Sequence, residues 1–350
     1  MKHSMLALAM LGLTSGLAHA QSNVTIYGTI DSGLRNQTNT TAAGDSKLSV
    51  GSNGTYLANR LGFTGTEDLG DGLNAKFVLE SGFNTGTGAL DNTTSTLFNR
   101  TAAVAIAGKS SSLSLGRQYT IAFQTAKEYE PFTYRYISLI PVGGGAGTTL
   151  PTVATTAGLG ASATGGTRFN NDIQYSATFG SLTAMAEYAA GEQAGSISNG
   201  AAQAVALRYN EGPLNFGGAY TKKKTTTGFD NSSYTIGGGY QFGAIRTKLG
   251  YAQERQDSLN AGTFRNQLTW GGIIYSPTSQ IELIAAWYNT KYSNVTTGKR
   301  DLFITSVAYF LSKRTRLYAD IDKNRYTGAL IPTTGQTNQT GISVGIHHSF

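Results

Sequence analysis

Residues 24–35 read VTIYGTIDSGLR. Val24, Ile26, Ile30 and Leu34 fall on one side of an extended chain, and Thr25, Tyr27, Thr29, Asp31 and Arg35 on the other. Successive side chains of a strand point to opposite faces, so this period of two marks a strand with one apolar and one polar surface. The stretch LNAKFVLESGF, residues 73–83, repeats the arrangement: Leu73, Ala75, Phe77, Leu79 and Phe83 oppose Asn74, Lys76 and Glu80. LNFGGAYT, YTIGGGYQF, IRTKLGYAQ, LTWGGIIY, IELIAAWY and RLYADID continue it. At the end of the chain, Ile342, Val344, Ile346, His348 and Phe350 share a face. The pattern yields about sixteen segments, each near the ~10-residue alternating unit of a membrane barrel.

The intervals between segments have a rhythm. Short polar or glycine turns fall at 68–72, 109–112, 180–181, 211–213, 243–244, 276–279 and 312–313. Longer Gly/Asn/Thr/Ser stretches alternate with them, near 36–54, 84–98, 121–167, 191–200, 225–231, 256–263, 293–299 and 326–339. Short turns on one side and long loops on the other describe antiparallel hairpins of an outer-membrane barrel. Closure also satisfies every backbone polar group in hydrocarbon and leaves no free edge. A secreted sandwich has no reason to sort its turns by length.

Composition fits that reading. Gly 45, Tyr 19 and Phe 15 against Pro 6, with 39% hydrophobic residues, describe many strands and turns. Cys 0 removes disulfide and thiol chemistry. Lys2, the apolar run from Met5 to Leu17 and the small-x-small site Ala18-His19-Ala20 predict a signal peptide over 1–20 and a mature chain over 21–350. The formal net charge is +7, yet no basic run exceeds Lys222-Lys223-Lys224, so nucleic acid is not an expected partner. The apolar face must meet lipid and the polar face must line a lumen, and about sixteen strands enclose more space than side chains fill.

Residues 60–84, RLGFTGTEDLGDGLNAKFVLESGFN, resemble the general diffusion porins of Gram-negative bacteria, in particular the β-proteobacterial outer-membrane porin family. VTIYGTIDSGL, SLGRQYT at 114–120, FLSKRTRLYADID at 310–322 and the terminal VGIHHSF carry the resemblance along the chain. It implies an all-β, 16-stranded antiparallel transmembrane barrel in the cell outer membrane. It also implies a homotrimer, among outer-membrane lipid and lipopolysaccharide, that passes small hydrophilic solutes and ions by passive diffusion. A long third loop, here about 121–167, is expected to fold into the lumen and form the constriction. In the same family a terminal Phe, here Phe350, is the signal read by the barrel assembly machinery. No cofactor is implied.

Pore selectivity depends on facing charges at the narrowest point. Alternation turns Arg60 and Lys76 inward, and the loop supplies Glu128, Glu130 and Arg135, with Arg168 at its far end. Parity with Leu113 and Leu115 puts Arg117 outside, so its inward placement rests on the resemblance, and Arg100 poses the same difficulty. Many relatives carry an Asp after the GRQY stretch, where this chain has Thr120, so the acidic side of the constriction is thin. Lumen positions by parity include the basic residues Arg35, Arg208, Arg246, Lys248, Arg265 and Arg316. They face Asp31, Glu80, Asp172, Glu187, Asp320 and Asp322, with inward Tyr27, Tyr275, Tyr288 and Tyr318 between them. The modest basic majority predicts weak anion preference. A substrate-specific channel, or a barrel acting mainly as an adhesin, are the alternatives.

Catalysis and metal binding are not expected. No G-x-S-x-G elbow occurs, and the adjacent His347 and His348 point to opposite faces of a strand.

Overall fold

A computed structural model describes residues 23–51, 56–92, 95–135, 167–226, 228–258, 262–294 and 296–350. The expected signal peptide and residues 136–166 of the expected constriction loop lie outside them.

In chain order the elements are β1 (Asn23–Gln37), β2 (Lys47–Gly51), β3 (Asn59–Gly70), β4 (Leu73–Phe83), β5 (Thr101–Ala107), β6 (Ser111–Tyr119) and the helix α1 (Ile121–Tyr129). There follow β7 (Arg168–Phe179), β8 (Leu182–Ala189), β9 (Ala202–Glu211), β10 (Leu214–Lys224), β11 (Asp230–Phe242) and β12 (Ile245–Ser258). The last five are β13 (Gly262–Thr278), β14 (Ile281–Ser293), β15 (Gly298–Phe310), β16 (Thr315–Gly328) and β17 (Asn338–Ser349). Apart from β2 and β3, strands adjacent in sequence pair antiparallel. One edge of β1 meets β3 through Asn23 to Thr29 and β2 through Gly33 to Gln37. β2 and β3 are therefore two collinear pieces of one stave, and the seventeen strands make a sixteen-stave wall.

The other edge of β1 pairs with β17 from Thr29↔Ser349 to Gln37↔Gly341 and closes the ring. Phe350 completes the seam, exchanging two backbone hydrogen bonds of 3.1 Å with Gly28. A side chain at Gly28 would strike the Phe350 ring, which lies across it on the outer face.

Val24, Ile26, Ile30 and Leu34 are exposed on the outer wall, whereas Asp31 and Arg35 are buried inside. The lumen position does not strip these ions of partners: Arg35 makes a two-pronged contact with Asp322 at 2.6 and 3.1 Å. The tight turns also follow their sequence, with Gly70, Asp71 and Gly72 all at positive φ between β3 and β4.

Inside, the wall is not uniformly polar. Thr120 caps α1 by accepting the Phe123 N–H at 3.1 Å. Ile121 and Ala122 pack on Met185, Ala204, Ala206 and Ala219. Phe123, Ala126, Phe132 and Tyr134 pack on Leu268, Trp270, Ile274, Ile284, Tyr288 and Leu302. An amphipathic helix and the turn that follows it thus bury their apolar side chains against the inner face of β8 to β15, giving the barrel a core on one side of its lumen.

Candidate functional site

The segment from Tyr119 to Arg135 is fastened at successive points along that inner wall. The Trp270 indole N–H donates to the Tyr129 carbonyl at 2.8 Å, and Lys248 Nζ donates to the Glu130 carbonyl at 3.1 Å. The Glu130 carboxylate accepts the N–H groups of Phe132 and Tyr134 at 3.0 and 2.6 Å, and also the Tyr288 hydroxyl. Burial raises the Glu130 pKa above the ordinary carboxylate range, against the pull of those donors and of Lys248. Arg135 ends the run, donating to the Tyr56 hydroxyl and to Glu282 Oε1, each at 2.8 Å. Arg316 reaches the same Tyr56 hydroxyl at 3.4 Å, and Tyr56 stacks on Tyr318 with ring centroids 4.2 Å apart.

Glycines let the backbone come this close. A Cβ at Gly237 would lie 2.6 Å from the Tyr129 Cβ, and one at Gly272 would lie 2.6 Å from the Pro131 ring. Both glycines stand on the inner wall beneath the loop.

Arg60 and Arg100 bracket Glu80 at 3.8 and 2.7 Å. Tyr27 donates to the other Glu80 oxygen at 3.0 Å, and Arg100 donates to the Tyr119 hydroxyl at 2.6 Å. Arg168 stacks over the Tyr119 ring at 3.9 Å. Arg100, Tyr119, Phe123 and Arg168 line a cavity of about 540 Å³. The free side of α1 presents Lys127 and Glu128, and Glu128 sits 3.6 Å from Arg208.

The predicted constriction residues therefore divide. Arg168 and Arg100, whose direction parity had left open, line this space, while Arg60 adjoins it through Glu80 and Glu128 pairs with Arg208 on the free side of α1. Glu130, buried, and Arg135, half-buried, fasten the loop to the wall rather than standing as open charges. Lys76 is exposed near the short turn, opposite Thr66 and four residues below Glu80, and belongs to the mouth on that side. Arg117 lines the same cavity, although its backbone keeps the outward parity of its strand. It stands across from Ala102, on the face of the exposed Val104 and Ile106, and donates to the Asn99 carbonyl at 2.7 Å and to the Asn170 side chain. The register slip between Gly116 and Gln118 falls at this residue, and the Arg117 side chain reaches from there to the cavity.

Among the lumen positions, Tyr27, Asp31, Arg35, Glu80, Lys248 and Asp320 stand on the inner face. Arg208 faces α1, Arg316 faces Tyr56, and Arg246 meets Gln241 near a short turn. Tyr275 and Arg265 face outward: they alternate with the buried Phe264, Asn266, Leu268, Trp270 and Ile274, which turn inward to meet the loop. Sequence reasoning did not single out Tyr56 or Trp270. The available signal was apolar residues on both faces of β13, one more than a lipid-facing strand needs. His347 is buried inside and His348 lies outside, with its Nδ1 2.8 Å from Thr315 Oγ1.

A sequence profile for the Gram-negative porins matches residues 7–329. Over the full length of both chains, the sequence is 31% identical to outer membrane porin protein 32 of Delftia acidovorans. It is 28% identical, again over both full lengths, to an outer membrane porin protein of Bordetella pertussis. Among solved structures, an anion-selective porin from Comamonas acidovorans superposes with a TM-score of 0.78 at 24% identity, covering 94% of this chain and 100% of that one. The outer-membrane expressed OmpT of Vibrio cholerae superposes at 0.64 and 16% identity, covering 94% and 98%.

Proposed function

The chain belongs to the Gram-negative porin family and is an outer-membrane channel for passive diffusion, and we propose that its constriction gives it a weak preference for small anions. The observation that carries this is the fate of the acids around α1. Glu80 is clamped between Arg60 and Arg100, Glu128 is shared with Arg208, and Glu130 is buried among hydrogen-bond donors. Among the described residues, no carboxylate lies within ion-pair distance of Lys127, Arg168 or Arg316. The charge left open to the lumen is therefore positive, and a water-filled passage with low-dielectric walls focuses that potential on permeating ions. In this reading Arg60, Arg168 and Lys127 form the selective side, whereas Tyr56, Trp270, Glu130 and Arg135 hold the loop in place.

Single-channel reversal potentials in a KCl gradient test the preference. Chloride is expected to permeate faster than potassium, and the opposite sign overturns the proposal. The tyrosines on the lumen face are scattered rather than serial, which favours general diffusion over one substrate; saturable block by a single solute would reverse that choice. Assembly as a homotrimer, contact with lipopolysaccharide and delivery by the barrel assembly machinery through Phe350 belong to the same proposal. Removing Phe350 is expected to lower surface levels more than it lowers conductance, and normal surface levels would refute that role. A catalytic role forms no part of it.

A further inference from the structure

Tyr119, the last residue of β6, is held by both its side chain and its backbone. Its ring carries the Arg168 guanidinium at 3.9 Å, and its hydroxyl accepts from Arg100 at 2.6 Å. Its main-chain carbonyl accepts the side-chain amides of Gln124 on α1 at 2.8 Å and of Gln174 on β7 at 2.7 Å. Arg168 therefore stands where these two glutamines put Tyr119.

Gln174 also leads to a buried carboxyl pair. Its Nε2 lies 2.7 Å from Asp172 Oδ2 and 2.8 Å from Glu187 Oε1, while its Oε1 accepts from Gln124 at 3.1 Å, which fixes the orientation of the amide. A primary amide has two hydrogens, yet three oxygens surround this nitrogen. Glu187 stands directly opposite Gln174 on β8, and the two carboxyls lie within hydrogen-bonding reach of each other. Among the described residues, Asp172 Oδ1 and Glu187 Oε2 are buried without a donor.

The surroundings bring no counter-ion. The pair meets Gln118 from β6, Ala204 from β9 and the Ile121 N–H from α1. The other charged side chains on these elements are Arg117 on β6, Arg168 on β7, Lys127 and Glu128 on α1, and Arg208 and Glu211 on β9. Among the described residues, no cation lies within ion-pair distance of Asp172 or Glu187. Two adjacent buried carboxyls without a counter-ion cannot both ionise, so the pair holds one proton between them.

We propose that Gln174 and the proton-sharing pair Asp172 and Glu187 are positioning residues for anion selectivity, acting on Arg168 through Tyr119. With the proton in place, the pair and Gln174 fix the Tyr119 carbonyl, and its ring presents Arg168 to the passage. Losing the proton leaves two buried anions side by side, which part and draw in water. Gln174 follows one of them, Tyr119 loses a donor, and Arg168 loses its fixed platform. Glu130 fastens the opposite end of α1 through separate donors. This inference rests on the anion preference proposed above.

The test records reversal potentials in a KCl gradient from about pH 6 to about pH 9 on the full-length wild type, Glu187→Gln and Gln174→Leu. Infrared difference spectra are taken on the same preparations. The chloride-over-potassium permeability ratio of wild type is expected to fall at least about twofold across the range. Glu187→Gln replaces the shared proton with a fixed amide hydrogen. It is expected to give a flat profile and to lack the C=O stretch of a protonated carboxyl that wild type shows at neutral pH. Gln174→Leu cuts the link but leaves the pair, and is expected to keep that stretch while its ratio is lower at every pH. Where Glu187→Gln does not fold, Asp172→Asn takes its place with the same expected outcomes. A constant ratio in wild type overturns the inference, as does a variant profile that falls in parallel with wild type. Absence of chloride preference in wild type at neutral pH overturns the selectivity reading instead. The infrared difference then decides the pair, and an unchanged carboxyl stretch in the variant overturns it.

Discussion

The Trp270 indole N–H, on the inner face of β13, donates to the main-chain carbonyl of Tyr129 at 2.8 Å, so the barrel wall holds the last residue of α1 by its backbone. Trp270→Phe keeps most of the ring packing and removes the donor. It is expected to cost about 1 kcal/mol, the net worth of one buried hydrogen bond. Because that loss falls on the loop rather than the sheet, the variant should show more open-channel noise in planar bilayers with little change in unfolding midpoint. Trp270→Ala also opens a cavity and should lower the midpoint, by about 3–5 kcal/mol of stability.

Two glycines separate close approach from mere glycine content. At Gly237 an added Cβ would press on the Tyr129 Cβ at 2.6 Å, whereas at Gly271 the nearest atom is the Lys248 carbonyl oxygen at 3.9 Å. Gly237→Ala is expected to cost about 1–3 kcal/mol by overpacking and to change single-channel conductance. Gly271→Ala, on the outer face, should leave both unchanged. Chemical unfolding and conductance on the two variants check this.

Glu80 has a double role that substitution can split. Glu80→Gln leaves two guanidinium groups beside an uncharged amide, and breaking a buried ion cluster from one side costs about 3–5 kcal/mol. The same change adds uncompensated positive charge to the lumen, so the reversal potential should move further toward anions while the thermal midpoint falls. Arg60→Gln should move the reversal potential the other way.

The pH response of the loop follows from Glu130. Burial raises its folded pKa above the ordinary value, so its contribution to stability is fully present below the unfolded pKa and is lost as pH rises through the folded one. Protection factors for hydrogen exchange of residues 121–135, taken relative to intrinsic exchange at each pH, should therefore be highest in mildly acidic buffer and fall toward alkaline pH. Glu130→Gln, neutral throughout, should flatten that dependence, and an unchanged profile in this variant would assign it to another group.

Much of the barrel was legible because its two solvents differ. Val24, Ile26 and Ile30 against Tyr27, Asp31 and Arg35 can be sorted by polarity alone when one face meets lipid and the other water. That rule fails where the lumen wall is covered. On β13 the inward Leu268, Trp270 and Ile274 are as apolar as the outward Ile273 and Tyr275, because they receive α1. Parity there could not be read by polarity, which turned Tyr275 and Arg265 the wrong way. Arg117 was decided by likeness against its own alternation; the strand pairing follows the alternation, yet the long side chain reaches the cavity at the register slip. Tyr56 falls between two strand pieces, where no period exists to place it.

The seam between Gly28 and Phe350 has a consequence for the order of assembly. Every other joint of the wall links strands that follow one another along the chain, most as local hairpins, while this one unites strands from opposite ends of the chain. Loop-closure entropy makes such a distant pairing the slow step, and until it forms, β1 and β17 are two open edges able to recruit other chains. The last residues thus decide whether a nearly complete sheet becomes a channel or an aggregate.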